Sequence, residues 1–508
     1  MLEVRSDEFS EKQLAEIALA IQKRWEVPAF VKMHHIVIVD EDVEDRARKE
    51  LTTHFERGIE TILQNLDLSK AVRLQRTSKN KYKLERIPGS SLPRWTNDIE
   101  TTNRVPEGVF ECPHCIPPST IVLGDNKAIV EYKIGDTAIG SNGLNAVLRT
   151  YNRTYKGQMI TINANGLLPI VTTPEHPILV STSHSSRLSK GGRLLRKVSF
   201  STQKYLAAKD LVAKHSLSDG NYLVVPIIKG TFKEDRISLE SFIKKRKPKH
   251  LGYGEFLPLN CDTAWLIGLY VAEGSITKEV RFSIVSDEND IRQRIARIAK
   301  NLGYSTYTTF VKNANSMLVT IPSRVLARAF DQWCGHKAPN KKIPDFLLFH
   351  KKIEYLNAFL HGYEIGEGYV GINKLGGSKM YRSCSTTSNI LAQQLQLAYA
   401  RLGIWASISI KNEKTQDVIM GRKVSLHSAY LITYPAHPNN KRTKVQFLND
   451  KILTPIRTIS NEIYDGPVCN LETSDNNYLV SNAIVHNCGR WFGSDLELSM
   501  HTKLHYLI

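Results

Sequence analysis

Hydrophobic residues recur with different periods along the chain, and these periods predict where its helices and strands lie. Near the N-terminus, four apolar residues at three- and four-residue spacing predict a helix: Leu14, Ile17, Ala18 and Ile21. The run 31–39 (VKMHHIVIV) predicts one strand, and residues 43–66 again show helical spacing. Residues 87–108 are rich in turn-forming residues and predict a linker.

After residue 115 the pattern changes to short apolar runs separated by turns, which is typical of β-structure. The runs cover residues 120–123, 159–162, 178–180 and 222–225. From 229 to 452, longer helical patterns alternate with strands, and residues 453–487 return to β-rich runs. This order predicts an all-β domain whose sequence is interrupted by an inserted α/β (α+β) domain.

Length and charge narrow the class of protein. A chain of 508 residues is too long for one core and predicts three or more domains. The net charge of +18 favours a polyanionic partner, most simply nucleic acid, although a generally basic protein is the alternative.

The cysteine count and the apolar runs predict a compartment. Seven cysteines are an odd number without a disulfide framework. The first residues are acidic and polar rather than basic and then apolar, and no apolar run has the length of a bilayer. We therefore expect a reducing, cytoplasmic location and no membrane partner.

One pattern joins the two ends of the chain across residues 115–487, a gap of 373 residues. If this segment is removed, His114 is followed directly by Cys488. Four residues then acquire the spacing of a tetrahedral Cys2His2 zinc site: Cys112, Cys488, His501 and His505. Apolar residues also stand where a ββα finger needs its core: Phe110, Phe492 and Leu498. The sequence therefore predicts a precursor in which a self-removing insert interrupts a small host protein.

Self-removal needs a nucleophile at each junction and a way to release the insert. Cys115 can attack the carbonyl of His114 and convert that amide into a thioester, because a thiolate is a good nucleophile. Cys488 can then accept the acyl group, and Asn487 can cyclise through its side-chain amide and sever the second junction. The freed amine of Cys488 finally converts the thioester into an amide.

These residues resemble an intein with a Hint-type splicing fold, over 115–228 and 453–488. The resemblance rests on CIPPSTIVLGD at the start, TPEH at 173–176, and AIVHN followed by cysteine at the end. It implies that Thr173 and His176 polarise the first scissile amide and protonate its leaving nitrogen. It also implies that His486 assists the cyclisation and that splicing needs no cofactor.

The chain departs from the family's pattern at two positions. Inteins often carry Asp and then His in the penultimate block, where this chain has Asn470 and Asn476. Neither amide side chain can titrate, so the way in which the steps are coordinated stays open.

Two segments inside the insert share a second pattern, WLIGLYVAEGS at 265–275 and FLHGYEIGEGYV at 359–370. In each, small residues four apart share a helix face suited to close backbone approach: Gly268 with Ala272, and Gly362 with Gly366. Each helix is predicted to end in a left-handed turn at the glycine that follows an acid, Gly274 and Gly368. Side-by-side packing would bring Glu273 and Glu367 together, as divalent-metal phosphodiester cleavage requires.

This second pattern resembles a LAGLIDADG homing endonuclease with both motifs in one chain, over about 260–440. The resemblance implies a monomeric, site-specific nuclease for double-stranded DNA, with Mg²⁺ held by Glu273 and Glu367 and the intein-free host gene as target. The segment NKKIPDFLL resembles the family's Lys-x-Ile-Pro, which makes Lys341 a candidate catalytic lysine. Lys342 or a merely solvated lysine is the alternative.

Two basic runs are further candidates for contacts with the DNA backbone, although solvated loops are the default for such runs. They are 244–249 (Lys244, Lys245, Arg246, Lys247 and Lys249) and 187–197 (Arg187, Lys190, Arg193, Arg196 and Lys197).

The predicted fold class is thus multi-domain. An N-terminal α/β host segment (1–114) precedes the all-β Hint domain, which is split into residues 115–228 and 453–487. The two parts of the Hint domain enclose the LAGLIDADG domain (229–452). Residues 488–508 complete a ββα zinc finger that is expected to bind Zn²⁺ after splicing. The host's partner is unknown, and nucleic acid and protein are equally open, because the finger helix begins with the acidic segment SDLELS. The alternative function is a zinc-finger binding protein whose intein still splices but whose nuclease is inactive.

Overall fold

The computed structural model describes residues 114–487 except 191–192, 215–218, 244–254, 313, 374–378, 412–415, 420–421, 426–427 and 437–444. It also describes short strands near both ends and the helical residues Leu14, Ile17, Ala18 and Leu63. The predicted linker at 87–108 lies outside the described residues, as does the predicted helix at 43–66 apart from Leu63.

Five strands form a sheet near the N-terminus: β1 (Leu2–Arg5), β2 (Ala29–Lys32), β3 (His35–Ile38), β4 (Val72–Ser78) and β5 (Lys81–Arg86). Their order is β2-β3-β1-β5-β4. The prediction of one strand over 31–39 is wrong. The apolar run is divided between two strands instead, because β2 pairs with β3 antiparallel and Lys32 lies opposite His35.

Among the described residues between 110 and 258, the regular structure consists mostly of strands. Their strands are β6 (Phe110–Glu111), β7 (Ile121–Val122), β8 (Lys127–Ala128), β9 (Thr137–Gly140), β10 (Gly143–Ala164), β11 (Ile170–Thr172), β12 (Pro177–Lys190), β13 (Arg193–Phe200), β14 (Lys204–Ala207), β15 (Gly220–Pro226), β16 (Arg236–Ser238) and β17 (Phe256–Pro258).

Residues 261–435 contain helices and strands in alternation. The helices are α1 (Cys261–Glu273), α2 (Asn289–Asn301), α3 (Arg324–Cys334), α4 (Asp345–Leu348), α5 (Ile353–Glu367) and α6 (Asn389–Arg401). The strands are β18 (Gly274–Ile276), β19 (Val280–Val285), β20 (Tyr307–Phe310), β21 (Ser316–Ile321), β22 (Tyr369–Asn373), β23 (Lys379–Thr386), β24 (Ser407–Lys411), β25 (Gln416–Ile419), β26 (Arg422–Ser425) and β27 (Ala429–Pro435). The remaining strands are β28 (Gln446–Phe447), β29 (Lys451–Thr473), β30 (Asn477–Val480), β31 (Ala483–His486) and β32 (Trp491–Phe492).

Strands from both sides of the α/β segment share one sheet of 11 strands. Seven of them follow the order β11-β10-β29-β15-β12-β31-β30. The other four pair at its sides: β13 and β14 with β12, β28 with β29, and β9 with β10. The chain leaves this sheet at Pro226 and returns through β28 and then β29, whose first residue, Lys451, pairs directly with Pro226. The backbone N–H of Ile227 donates to the carbonyl of Asp450 at 2.8 Å. The α/β segment is therefore inserted at the end of a closed antiparallel ladder.

Two strands of this sheet are much longer than the short runs that the sequence predicts. β10 has 22 residues and β29 has 23, and they pair antiparallel from Val147–Thr473 to Ala164–Ile456. Between 150 and 158 and between 457 and 467, no side chain is fully buried. A ribbon without a buried face needs no apolar alternation, which explains why sequence periodicity detects only its buried ends.

The α/β segment is built from two halves of the same topology. Each half runs helix, two strands, helix, two strands, starting with α1 or α5. The sheets are ordered β18-β19-β21-β20 and β22-β23-β27-β24, with the separate hairpin β25–β26 placed before the last strand of the second half. In both halves the order is first, second, fourth and third strand. The motif that occurs twice in the sequence thus begins each of two repeated units.

The two halves meet where α1 and α5 pack with their backbones in contact. A Cβ atom added to Gly268 would lie 1.9 Å from the Phe359 carbonyl oxygen, and one added to Gly362 would lie 2.1 Å from the Trp265 carbonyl oxygen. Such distances exclude any side chain at either position. The close approach predicted from the small-residue spacing is confirmed.

The predicted left-handed ends of the two helices are wrong. Gly274 has φ −85° and Gly368 has φ −81°, so both are extended and each leads directly towards a strand. Glycine is needed at both positions because a side chain would collide with the preceding helical turn. A Cβ on Gly274 would lie 2.3 Å from the Tyr270 carbonyl oxygen, and one on Gly368 would lie 2.2 Å from the Glu364 carbonyl oxygen.

Helix α6 joins the α/β segment to the β-sheet through buried polar side chains. Gln396 Nε2 donates to the Gly166 carbonyl at 2.6 Å. Asn482 Nδ2, close to the end of the insert, donates to Gln396 Oε1 at 2.9 Å and to the Gln393 carbonyl at 3.0 Å. Asn482 and Gln396 are fully buried. These polar contacts lie inside the apolar core that the two parts share.

Among the described residues, no helix combines the length and the apolar character that crossing a bilayer requires.

We predict that Gly268→Ala destabilises the helix pair by about 1–3 kcal/mol, because the added methyl group meets backbone atoms that cannot move aside. Chemical denaturation of a non-processing background, defined as the full-length chain without two of its predicted junction nucleophiles (Cys115→Ala, Asn487→Ala), measures the effect. Asn357→Ala, at an exposed position of α5, is the matched control and should change stability by less than about 0.5 kcal/mol. Equal stabilities of the two variants would contradict the close backbone approach.

Candidate functional site

The peptide bond between His114 and Cys115 lies buried beside β29. His114 is fully buried and Cys115 is 3% exposed. The next residue, Ile116, forms an antiparallel bridge with Cys469, with backbone hydrogen bonds of 2.9 and 2.8 Å. This bridge holds the start of the predicted insert against a strand that lies more than 350 residues further along the chain.

Both polar groups of this peptide bond are hydrogen-bonded to side chains. The Cys115 N–H donates to Thr173 Oγ1 at 2.9 Å. The His114 carbonyl accepts from the side-chain amide of Asn470. Asn470 Oδ1 in turn accepts from the Tyr478 hydroxyl at 2.8 Å and from the Leu471 N–H at 2.8 Å. A donor therefore faces the carbonyl oxygen, and an acceptor faces the nitrogen that would leave.

The carbonyl of Cys115 is held by two consecutive threonines. It accepts from Thr172 Oγ1 at 3.1 Å, from Thr173 Oγ1 at 3.2 Å and from the Thr173 N–H at 3.0 Å. Both threonines are fully buried. The three contacts restrict the rotation of the Cys115 backbone and so fix its position relative to the carbon that it would attack.

His176 is fully buried close to this peptide bond. Its ring meets the His114 ring edge-on, with 6.2 Å between the centroids. Burial, and then the nearby His486, lower the pKa of His176 to about 3, an effect that the Cys115 backbone partly opposes. The imidazole is therefore neutral at ordinary pH, with one N–H that can donate and one nitrogen that can accept a proton.

The second predicted junction is hydrogen-bonded at the end of β31. His486 Nδ1 contacts the Asn487 carbonyl oxygen, which belongs to the bond that cyclisation would break. The Asn487 side-chain amide donates to the Thr473 carbonyl at 3.3 Å, and its backbone N–H donates to the Asn476 carbonyl at 3.2 Å. Asn487 is 3% exposed, so the reacting amide is largely kept from water.

The two junctions share one buried region. Burial, and then the nearby His176 and His486, lower the pKa of His114 well below its ordinary value. His486 also lies edge-on to Tyr205, with 5.0 Å between the ring centroids. Asn470 contacts both the His114 carbonyl and Tyr478, and Tyr478 pairs with Val485, which precedes His486. The two ends of the predicted insert are therefore close in space.

The two predicted acids lie at the paired ends of α1 and α5. A Cβ added to Gly366 on α5 would lie 3.1 Å from Glu273 Oε1, so the Glu273 side chain lies over the last turn of the neighbouring helix. Burial, and then the charge of Glu367 and Glu288, raise the pKa of Glu273 to about 7. Burial also raises the pKa of Glu367, whose carboxylate accepts from Ser385 Oγ at 3.4 Å.

Two half-buried carboxylates that repel each other fit a divalent cation. Carboxylate oxygen is the ligand that Mg²⁺ prefers, and a cation would favour the charged form of both groups, against the burial that raises their pKa values. Glu273 and Glu367 are therefore the residues that could hold the metal. Within the described part of the chain, no group of three or more His, Cys, Asp or Glu side chains forms a metal cluster.

Lys341 is buried rather than solvated, with 5% exposure. Its ammonium donates to the carbonyls of Tyr270 at 2.9 Å and Gly274 at 3.0 Å, and lies 3.5 Å from the centroid of the Tyr270 ring. Burial lowers its pKa to about 8. Lys341 thus holds the last turn of α1 and the residue after Glu273.

Several predicted residues lie outside the described part of the chain. They include Cys112, Cys488, His501 and His505 of the zinc site and the basic run 244–249. The second basic run lies on the β12–β13 hairpin, whose backbone pairs Arg187 with Arg196 and Lys190 with Arg193.

Sequence reasoning identifies the residues at the junctions and one residue that holds them, Thr173, but misses the others. Asn470 appeared only as a departure from a pattern, and Thr172 and Tyr478 were not singled out. The available signal was Asn470 itself, a polar residue in the apolar segment 468–471 (VCNL). Its target, the His114 carbonyl, could not be identified without the strand register.

Residues 354–433 match the family described as LAGLIDADG-like domain, so the chain contains a domain of this kind. The match covers most of α5 and most of the second repeated half.

Two curated relatives match most of this chain. The chain is 31% identical over 405 residues to the ATP-dependent DNA helicase Hel308 of Thermococcus kodakarensis, covering 73% of this chain and 36% of the helicase. It is 25% identical over 390 residues to an iron–sulfur cluster assembly SufBD family protein of Mycobacterium bovis, covering 74% and 43%. The chain thus spans less than half the length of either relative.

Among solved structures, the chain is similar to mesophilic variants of the homing endonuclease I-DmoI. The sequence identity is 17% and the TM-score is 0.24, over 35% of this chain and 89% of that protein.

We predict that Glu273→Gln stabilises the folded chain by about 1 kcal/mol at pH 8. The folded-state pKa of Glu273 is about 7, above the ordinary 4.5, so ionised Glu273 destabilises the folded state at high pH. This penalty decreases as the pH falls below 7 and vanishes near 4.5.

The measurement is denaturation of the parent and the variant at pH 8 and at pH 4.5, both in the non-processing background. Glu354→Gln, an exposed position on α5, is the control and should leave stability within about 0.5 kcal/mol at both pH values. A stabilisation by Glu273→Gln that did not depend on pH would contradict the electrostatic cause.

Proposed function

We propose that the chain is a precursor that removes residues 115–487 by autocatalytic protein splicing, and that the excised segment is a site-specific DNA endonuclease. The observation that carries the splicing proposal is the hydrogen bonding of the His114–Cys115 peptide bond. The donor on its carbonyl oxygen polarises the carbon for attack, the acceptor on its N–H fixes the orientation of the bond, and the site is buried next to a neutral histidine.

In the first step, the Cys115 sulfur attacks the His114 carbonyl carbon. The C–S bond forms, the C–N bond breaks, and the thiol proton passes to the nitrogen, which becomes the amine of Cys115. We assign the transfer of this proton to His176, because its neutral ring could accept from sulfur and donate to nitrogen. Thr173 keeps the nitrogen in place, since its hydroxyl already accepts from that N–H.

The acyl group then passes from Cys115 to the thiol of Cys488. The Asn487 side-chain nitrogen attacks its own carbonyl carbon, and the bond to Cys488 breaks. His486 assists by its contact with that carbonyl oxygen. The released amine of Cys488 then attacks the carbonyl carbon of the thioester and displaces the Cys488 sulfur. This step leaves an amide bond between His114 and Cys488.

The extent of the matches supports an inserted element. The predicted insert is 373 of 508 residues, or 73% of the chain. The relatives align over 73% and 74% of this chain but over only 36% and 43% of themselves. Their names describe a helicase and an iron–sulfur assembly protein, which have no activity in common. A shared segment of this size in unrelated hosts is the pattern that a mobile insert produces.

We propose that Glu273 and Glu367 hold Mg²⁺ at the meeting point of the two repeated halves. Bound there, Mg²⁺ would polarise the scissile phosphate and stabilise the charge that develops on it. The two four-stranded sheets extend from this point and present exposed side chains such as Tyr307, Tyr369 and Arg382. Phosphate contacts would give affinity, consistent with the net charge of +18.

For the host, we propose a small Cys2His2 zinc-finger protein of 135 residues. Strand β6, just before Cys112, pairs antiparallel with β32, just after Cys488. This ribbon supports a finger whose two β-strands come from opposite sides of the insert. Zn²⁺ would be held by Cys112, Cys488, His501 and His505 after ligation. Whether the host then contacts nucleic acid or protein stays open.

The splicing proposal predicts two products from one polypeptide. Intact-mass measurement after expression should find a ligated 135-residue protein and a 373-residue segment. Cys115→Ala combined with Asn487→Ala should leave only the 508-residue precursor, whereas Cys261→Ala, an exposed cysteine outside the junctions, should not alter the products. Host fragments that are released but never joined would instead indicate autocleavage.

The nuclease proposal predicts Mg²⁺-dependent cleavage of a plasmid that carries the host gene with the codons of His114 and Cys488 joined. Glu367→Gln should reduce the rate at least about 100-fold, because one of the two metal ligands is lost. The rate should fall as the pH drops below about 7, since protonated Glu273 cannot hold the cation.

A plasmid with the uninterrupted precursor gene, in which the insert splits the target, is the matched control. Failure to cleave either plasmid, with splicing intact, would leave the alternative function in which the insert splices and its nuclease is inactive.

A further inference from the structure

We infer that Asn470 is a catalytic residue of the first splicing step, in which its side-chain amide stabilises the negative charge on the His114 oxygen. This inference rests on the proposed splicing function. It concerns a position at which this chain departs from the intein pattern. Inteins often carry an aspartate there, whereas this chain carries an asparagine. In this chain, an amide lies against the reacting carbonyl.

The orientation of the Asn470 amide is determined by its surroundings. A carboxamide could point either its oxygen or its nitrogen at the His114 carbonyl. Its other atom, however, is contacted by the Tyr478 hydroxyl and by the Leu471 N–H, each at 2.8 Å. A backbone N–H can only donate, so the atom facing it must be oxygen. The NH₂ group therefore faces the carbonyl.

The site around this amide also strengthens its effect. Asn470 is 2% exposed, and Tyr478 is fully buried on the far side of the carboxamide. A hydrogen bond to a developing oxyanion is stronger where water is excluded and the donor is already oriented. When the Cys115 sulfur attacks, electrons of the carbonyl move onto the oxygen that Asn470 contacts. Asn470 gains and loses no proton in this step.

A carboxylate in place of this amide would act in the opposite sense. An ionised aspartate side chain would bring a second negative charge against the developing oxyanion, and only its protonated form could donate. The neutral amide of Asn470 donates at every pH. Tyr478 is then a positioning residue, because its hydroxyl contacts the Asn470 oxygen and does not touch the reacting bond.

The test separates the first step from the last. In an Asn487→Ala, Cys488→Ala background, hydroxylamine captures the Cys115 thioester, and the rate of release of residues 1–114 reports the first step. In a Cys115→Ala background, release of the C-terminal host segment reports the cyclisation of Asn487. Asn470→Ala should slow the first release about 100-fold and the second by less than about threefold.

Asn221→Ala is the matched control, since Asn221 is also buried but bonds to Val212 and Thr182. It removes the same side chain without touching a junction, and both release rates should stay within about threefold of the parent.

The Asn470→Asp variant supplies a readout that a structural role would not produce. Its first-step rate should increase as the pH falls through the pKa of the new carboxyl group, relative to a parent measured at the same pH values. Tyr478→Phe should slow the first step by a smaller factor than Asn470→Ala.

Failure of the parent itself to release residues 1–114 would overturn the proposed splicing function. A parent that reacts normally, with Asn470→Ala as fast as Asn221→Ala, or with both half-reactions slowed equally, would overturn the role of Asn470 alone.

Discussion

The pairing of strands from distant parts of the chain is the constraint on which the rest of this structure depends. Pro226 and Lys451 are 225 positions apart, yet they face each other at the end of one antiparallel ladder. Outside this ladder, β6 and β32 pair on either side of the whole insert. The chain is therefore nested. Each inserted segment begins and ends at residues that are neighbours in space. The strands on either side of the segment can therefore still pair with each other.

Nesting explains which features the sequence could predict. Cys115, Asn487 and Cys488 define chemistry by their position along the chain, and α1 and α5 show their helical period and glycine spacing locally. Asn470 differs, because its function depends on its register opposite a residue 356 positions away. The exposed ribbon of β10 and β29 has no apolar alternation to detect. The glycines after Glu273 and Glu367 were assigned correctly to the helix ends but for the wrong reason, since space rather than a left-handed turn requires them.

The two candidate sites use burial in opposite ways. Around Cys115, burial keeps His114 and His176 neutral and leaves oriented hydrogen bonds as the main electrostatic influence. Around Glu273, burial and a second acid hold a proton on a carboxyl that would otherwise be ionised, which prepares the site for a cation. The first arrangement suits the proposed single reaction on the chain's own backbone, whereas the second suits repeated action on an external substrate.

The buried contacts of helix α6 bear on how such an insert could evolve. Because Pro226 and Lys451 already pair, a short turn could join them if the whole α/β segment were lost. The loss would nevertheless strip the Gln396 contacts from the Gly166 carbonyl and the Asn482 amide. These groups, now satisfied inside a core, would face solvent together with the apolar side chains around them. Loss of the α/β segment would therefore also require new packing on this face of the β-sheet, so each part depends on the other for a fully satisfied core.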